Sequence, residues 1–130
     1  MTPQPGVTLR ETYIASALRT ADPIQWLQGW YYAMCDGDWE HGSGPNISTL
    51  DNPGWAVKID LSKTYLSTRP FKVCQIERHQ DDWLNCTVSQ GCFRAFGGPV
   101  NLSEIVDIFR AWAEPGLEIK SSIYPKLLKE

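Results

Sequence analysis

A chain of 130 residues is long enough for one compact domain that buries roughly two thirds of its unfolded surface. Hydrophobic residues make up 42% of the chain and aromatic residues 12%, which is more core-forming material than a disordered chain carries. The net charge of −3 argues against a broad phosphate-binding surface, because nucleic-acid binding needs clustered Lys and Arg. We therefore expect one globular domain without a nucleic-acid partner.

The chain contains neither an apolar run of signal-peptide length near its start nor a stretch long enough to span a bilayer. This predicts a cytoplasmic protein with no membrane partner. Its four cysteines, at positions 35, 74, 86 and 92, should remain thiols in that compartment.

Two helix starts lie in the first quarter of the chain. Thr8 and Glu11 have capping-box spacing, which indicates a short helix within an N-terminal extension over residues 1–21. Asp22 followed by Pro23 is a stronger start, with an N-cap and a proline at the first helical position. Apolar residues then recur every three or four positions, which predicts a helix from about 22 to 35.

The hydrophobic period changes to two after Gly42. Apolar residues at 55, 57, 59 and 61 alternate with smaller or polar ones, which is typical of a strand with one buried face. Shorter runs predict strands at 47–50, 71–78, 83–88 and 91–96, the last three as an antiparallel meander. Pairing around residues 79–82 would make Cys74 and Cys86 neighbours inside the sheet, where a disulfide is geometrically feasible but unusual for the cytosol.

A final helix is predicted from Asn101, with Glu104 in capping-box position, to about residue 113. The preceding Gly-Gly-Pro at 97–99 is too short for a phosphate cradle and fits a strand-to-helix turn. The predicted fold is α+β, a single domain over 22–113 with an antiparallel sheet of about four or five strands against two main helices. Residues 114–130 form a C-terminal tail in this scheme.

The densest polar segment is CDGDWEH at positions 35–41. It lacks the later Gly and distal Glu of a calcium loop and the paired ligands of a zinc site, so no metal is expected. The structural alternative is that its acids cap turns and face water while Trp39 anchors the loop in the core.

A thiol enzyme, for example a sulfurtransferase-like protein, is the best catalytic hypothesis for this segment, with Cys35 as nucleophile and His41 close in sequence. A helix C-terminus and neighbouring carboxylates disfavour a thiolate, however. The only other histidine is His79, in the predicted hairpin loop. We therefore expect no catalytic residue; a small-ligand binding module, which would need a closed polar-lined pocket, is the other alternative.

The chain contains six tryptophans. Trp55 and Trp112 are expected in the core. For Trp30, Trp39 and Trp83 the pattern does not distinguish core from surface, and an exposed one beside the acidic loops would be an interface anchor.

Several segments together resemble the immunity protein 53 family, over about residues 24–113. They are WLQGWY at 26–31, CDGDWEHGSG at 35–44, ISTLDNPGW at 47–55, IDL at 59–61, DWLNC at 82–86, FGGP at 96–99 and an L..I...F..W pattern ending at Trp112. The resemblance implies a bacterial protein that binds a toxin encoded nearby and neutralises it by stoichiometric occlusion, without a cofactor.

The resemblance does not identify the contact residues, so the candidates rest on charge and loop position. An acidic, Trp-containing surface would complement a basic toxin cleft. The predicted partner-binding residues are Asp36, Asp38, Trp39, Glu40, Asp81, Asp82 and Trp83.

Overall fold

The computed structural model describes residues 8–118. These described residues divide into two compact units, the first with the residues up to 42 and the second with residues 43–116. The predicted leader at 1–7 and most of the predicted tail lie outside the described residues.

The first unit contains two helices and a short 3-10 helix. Helix α1 spans Leu9–Ala17, α2 spans Pro23–Met34, and the 3-10 helix spans Trp39–His41. The predicted caps are confirmed, because Thr8 accepts the Glu11 N–H at 3.0 Å and Asp22 accepts the Ile24 N–H at 3.0 Å. The helices pack closely where Gly29 faces Ala17, since a Cβ on Gly29 would lie 2.7 Å from the Ala17 Cβ.

The second unit is a five-stranded sheet with one helix. The strands are β1 (Pro45–Leu50), β2 (Gly54–Asp60), β3 (Cys74–His79), β4 (Asp82–Ser89) and β5 (Cys92–Gly97), and the helix is α3 (Leu102–Ala113). All neighbours pair antiparallel in the order β1-β2-β5-β4-β3. The predicted α+β class, the antiparallel sheet and the meander of its last three strands are confirmed.

Strand pairing separates the sheet residues into two faces. On one face, Phe93 and Ala95 of β5 lie opposite Ile59 and Val57 of β2, and all four are buried. Helix α3 lies against this helix-covered face, where the Phe93 and Phe109 ring centroids are 5.1 Å apart. The alternate residues form what we call the open face, whose central strand carries Arg94 and Phe96.

The connection from β2 to β3 holds the C-terminal end of α3. Arg69 Nη1 donates to the Trp112 carbonyl at 3.0 Å, and Trp112 Nε1 donates to the Pro70 carbonyl at 2.8 Å. The predicted start of the third strand at Phe71 is wrong, because β3 begins at Cys74. The Phe71 ring instead packs edge-on against Phe93 at 5.7 Å.

The tryptophans distribute differently from the prediction. Trp26, Trp30 and Trp39 are buried, whereas Trp55 and Trp112, expected in the core, are only half-buried. Each of these two places its indole N–H on a backbone carbonyl near the surface, Trp55 on Pro99 and Trp112 on Pro70. The expectation that Trp55 and Trp112 lie in the core is therefore wrong, because each ring reaches a carbonyl at the surface.

None of the helices within residues 8–118 has the length and apolar character needed to cross a membrane.

Candidate partner-binding surfaces

The acids of the CDGDWEH segment are used to build its own loop. One carboxylate oxygen of Asp36 accepts the N–H groups of Asp38 and Trp39, both at 2.9 Å. The Glu40 carboxylate accepts the N–H groups of Asp36 at 3.0 Å and Gly37 at 2.9 Å. Gly37 has a φ of 92°, a conformation that glycine adopts without strain. The turn-capping interpretation of this segment is therefore confirmed.

Trp39 anchors that loop from inside. Its side chain is 3% exposed, and its ring stands edge-on to Trp30 with centroids 5.9 Å apart. Tyr31 contacts the same ring, also at 5.9 Å. In contrast, Asp36 and Asp38 are exposed at the loop surface, so they are the accessible members of this group.

Cys35 lies in a setting that suppresses a thiolate. The side chain is 7% exposed, and its thiol donates to the Tyr31 carbonyl at 3.2 Å. Burial is the main cause that raises the pKa of Cys35, with the Glu40 charge adding to it and Arg10 opposing it. No base within the described residues hydrogen-bonds this sulfur, so the geometry argues against a Cys35 nucleophile.

In the second unit, Asp82 belongs to a polar cluster between the β3–β4 hairpin and the start of α3. Arg78 bridges two carboxylates, at 2.9 Å to Asp82 and 2.6 Å to Glu104. The side-chain amide of the buried Asn101 donates to the same two carboxylates at 2.8 and 3.1 Å. Its oxygen accepts the backbone N–H of Trp83 at 3.1 Å. Asn101 thus occupies the predicted N-cap position, but its side chain ties β4 to α3 rather than capping the helix.

This cluster holds both carboxylates in their ionised form. The pKa of Asp82 is lowered, first by its hydrogen bond from Asn101 and then by the one from Arg78. The pKa of Glu104 is lowered chiefly by its hydrogen bond from Arg78. Asp82 is therefore already engaged by groups of its own chain, and a partner would have to compete for it.

The FGGP segment is explained by close backbone approach. A Cβ on Gly98 would lie 2.5 Å from the Asp81 carbonyl oxygen, and the Gly98 N–H donates to the Trp83 carbonyl at 2.9 Å. A Cβ on Gly97 would lie 2.9 Å from the Ile105 side chain. The predicted strand-to-helix turn is confirmed, and its glycines bring the end of β5 against the hairpin.

Two further carboxylates belong to the β3–β4 hairpin. Asp81 is exposed in the turn, and Glu77 is exposed opposite Trp83 on the sheet. Within the part of the chain that the structure describes, neither carboxylate forms an ion pair.

The half-buried Trp83 ring lies between β3 and β5 on the open face, beside a depression of about 440 Å³. The depression is open to solvent and is lined by Glu77, Arg78, His79, Gln80 and Trp83.

The predicted neighbourhood of Cys74 and Cys86 is confirmed, because the two residues are directly paired across β3 and β4. Both are free thiols. Burial, with a smaller contribution from Cys74, raises the pKa of the Cys86 thiol to about 12.

The open face also contains groups that sequence reasoning missed. Lys58 of β2 and Arg94 of β5 are directly paired, and Phe96 follows on the same face with 47% of its surface exposed. The run from Cys92 to Phe96 has apolar residues at both parities, so alternation alone does not show which phenylalanine faces outward.

The fold and these sites define a small α+β protein whose densest acidic motif is structural and whose open sheet face carries two cations beside an exposed phenylalanine. The chain belongs to the immunity protein 53 family, whose family model matches residues 24–114. The resemblance carried by the tryptophan-rich and acidic motifs is thereby confirmed. No curated protein and no solved structure matches the chain.

Proposed function

We propose that this protein is a bacterial immunity protein that binds a cognate toxin, encoded nearby, and neutralises it in the cytoplasm by stoichiometric occlusion. The observation that carries the proposal is the family match over residues 24–114. Membership of this family implies an immunity role and suggests that the chain acts by binding rather than by catalysis.

The chemistry of the first unit supports a binding role. Cys35 is buried, its thiol donates a hydrogen bond to the Tyr31 carbonyl, and its pKa is raised. A nucleophilic cysteine instead needs a lowered pKa or an adjacent base. The thiol-enzyme alternative therefore has no support from this geometry.

We further propose that the accessible members of the predicted set contact the toxin. These are Asp36 and Asp38 of the first unit and Asp81 and Trp83 of the second. Exposed carboxylates speed encounter with a basic cleft, and a half-buried tryptophan adds apolar area on contact. Trp39, Glu40 and Asp82 act indirectly, because their hydrogen bonds and packing hold those contact residues in place.

Co-expression with the product of the adjacent toxin gene tests the function. The toxin alone should arrest growth of the host cell, and the toxin with this chain should not. Purified chain and a toxin inactivated in its own active site should form a complex of fixed stoichiometry by light scattering after size-exclusion chromatography. A toxin that remains lethal at equal expression, or that does not co-elute, would contradict the proposal.

Charge reversal tests the contacts. Asp81→Lys should weaken toxin binding by about tenfold. Asp51→Lys is a matched control, because Asp51 is an exposed carboxylate in another turn of the same sheet. Equal binding by both variants would exclude Asp81 from the interface.

A further inference from the structure

Phe96 is an exposed aromatic residue on the central strand of the sheet. Strand β5 lies between β2 and β4, and Phe96 pairs with Ala56 on one side and Asn85 on the other. Its ring is 47% exposed, whereas Phe93, on the opposite face of the same strand, is fully buried. A single exposed apolar side chain is normal on a protein surface, so the inference depends on the charged residues that flank Phe96.

Two cations stand side by side next to this ring. Lys58 and Arg94 are directly opposite each other in the register of β2 and β5, and Arg94 lies two residues before Phe96 on the same face. Like charges directly opposite each other destabilise a sheet. The free protein therefore carries a local electrostatic cost at this position.

On the Arg94 side of this pair, the contacts within the described residues are to neutral groups. The Arg94 guanidinium donates to neutral acceptors, the Ser89 carbonyl and the Gln90 side chain, each at 3.3 Å. Asp60 shares the face and interacts electrostatically with Lys58, but its carboxylate is also engaged by the Ser43 hydroxyl at 2.7 Å and the Ser62 backbone N–H at 2.8 Å. Across residues 8–118, neither Lys58 nor Arg94 forms an ion pair.

We propose that Lys58, Arg94 and Phe96 form a docking site for a protein partner that presents a carboxylate beside an apolar side chain. The carboxylate lies between the two cations, and the apolar side chain covers the Phe96 ring. The proposal rests on the proposed function, since the partner is the toxin. It specifies a surface of this chain and a matching chemistry on the toxin, which the family assignment does not supply.

The charges of the open face have two signs, and this favours a protein over a nucleic acid. Lys58 and Arg94 lie on one side of Phe96, while Glu77 lies opposite Trp83 toward the β3–β4 hairpin. A polyphosphate chain would meet repulsion at Glu77, and the whole chain has a net charge of −3. A protein surface can instead present a carboxylate to one end and a cation to the other, which fixes its orientation.

Affinity measurements with the inactivated toxin test the site. Phe96→Ala should weaken binding by about tenfold or more, and Lys58→Glu combined with Arg94→Glu by a larger factor. Ile47→Ala and Lys72→Glu are matched controls and should bind like wild type. Ile47 is 39% exposed on the opposite face of the sheet, and Lys72 is an exposed cation outside the strands.

The single variant Lys58→Glu separates binding from folding. It replaces the like-charge pair with Arg94 by an opposite-charge pair but also removes the favourable interaction of Lys58 with Asp60, so its unfolding midpoint should stay close to that of wild type. Its toxin affinity should nevertheless fall. If Lys58→Glu loses both affinity and unfolding midpoint, and Ile47→Ala shows the same two losses, a folding defect explains the result and the proposal is overturned.

The outcomes distinguish this inference from the proposed function. If wild type binds the toxin and all open-face variants bind equally, the inference is wrong and the immunity function stands. If wild type does not bind the toxin, both fall. If wild type binds a single-stranded oligonucleotide and the Lys58 and Arg94 reversals abolish that binding without affecting toxin affinity, the site serves nucleic acid and the inference is overturned.

Discussion

The acidic loop at residues 35–41 and the open face of the sheet carry charge in opposite ways. In the loop, the carboxylates of Asp36 and Glu40 accept four backbone N–H groups of their own segment. On the open face, Lys58 and Arg94 lie opposite each other in the strand register, and within the described residues neither forms an ion pair at contact distance. Asp36 and Glu40 therefore use their carboxylates inside the loop even where they are accessible, whereas Arg94 on the sheet donates to neutral acceptors.

The comparison predicts that changes to the internal framework lower stability and that changes to the open face lower binding. The largest effect on stability is expected at Gly98, which belongs to the internal framework. An alanine Cβ there would meet the Asp81 carbonyl oxygen at 2.5 Å, so β5 or the hairpin must move. Gly98→Ala should lower the free energy of unfolding by about 3 kcal/mol, measured by urea denaturation.

Gly42→Ala is the control for this substitution, because a Cβ on Gly42 would have no atom within 4 Å. It should change the free energy of unfolding by less than about 0.5 kcal/mol. If Gly98→Ala lowers the free energy of unfolding as little as Gly42→Ala does, the clash at Gly98 is relieved without cost.

Asn101→Ala should have the next largest effect. The side chain is 1% exposed and connects Asp82, Glu104 and the Trp83 N–H. Its removal leaves the Trp83 N–H without its acceptor, which should cost about 2 kcal/mol in urea denaturation. Asn85→Ala, an exposed asparagine on the same strand as Trp83, should be nearly neutral. Equal effects would show that the buried network contributes nothing beyond an ordinary surface amide.

Local patterns predict the elements of this fold well. The caps at Thr8 and Asp22, the alternation through β2 and the turn before Asn101 all depend on residues close in sequence. The start of β3 was misplaced because Phe71 packs on Phe93, a contact that the local apolar run does not reveal.

The site is harder to predict because it depends on strand order and register. Lys58 and Arg94 become neighbours only because β2 pairs with β5 rather than with β3. Asp81 and Asp82 are adjacent and chemically identical in sequence, yet one lies in an exposed turn and the other is bonded to Asn101. Sequence reasoning found the acidic segments but could not tell which carboxylates are already used.

The loop side of the comparison predicts a smaller effect. Asp36→Ala removes the acceptor for two N–H groups at the start of the 3-10 helix and should cost about 1 kcal/mol. Asp36→Asn keeps an acceptor oxygen and should recover most of that loss. Glu77→Gln, on the open face, should leave the unfolding midpoint unchanged. If Asp36→Asn is as unstable as Asp36→Ala, charge rather than capping explains the role of this residue.

The smallest expected effect is the pH dependence from the Arg78 cluster. The pKa values of Asp82 and Glu104 are lowered in the folded state, so the unfolded chain binds more protons near the ordinary carboxylate pKa. Their contribution to stability is thus fully present above about pH 4 to 5 and declines as the pH falls further. Arg78→Gln removes a shared cause of both shifts and should flatten the stability profile between about pH 5 and 3 relative to wild type. These ion pairs are solvent-exposed, so 1 M salt should screen them. Salt should therefore flatten the stability profile of wild type, as Arg78→Gln does, and change the profile of the variant little. A profile equally steep in both proteins would assign the acid sensitivity to other carboxylates.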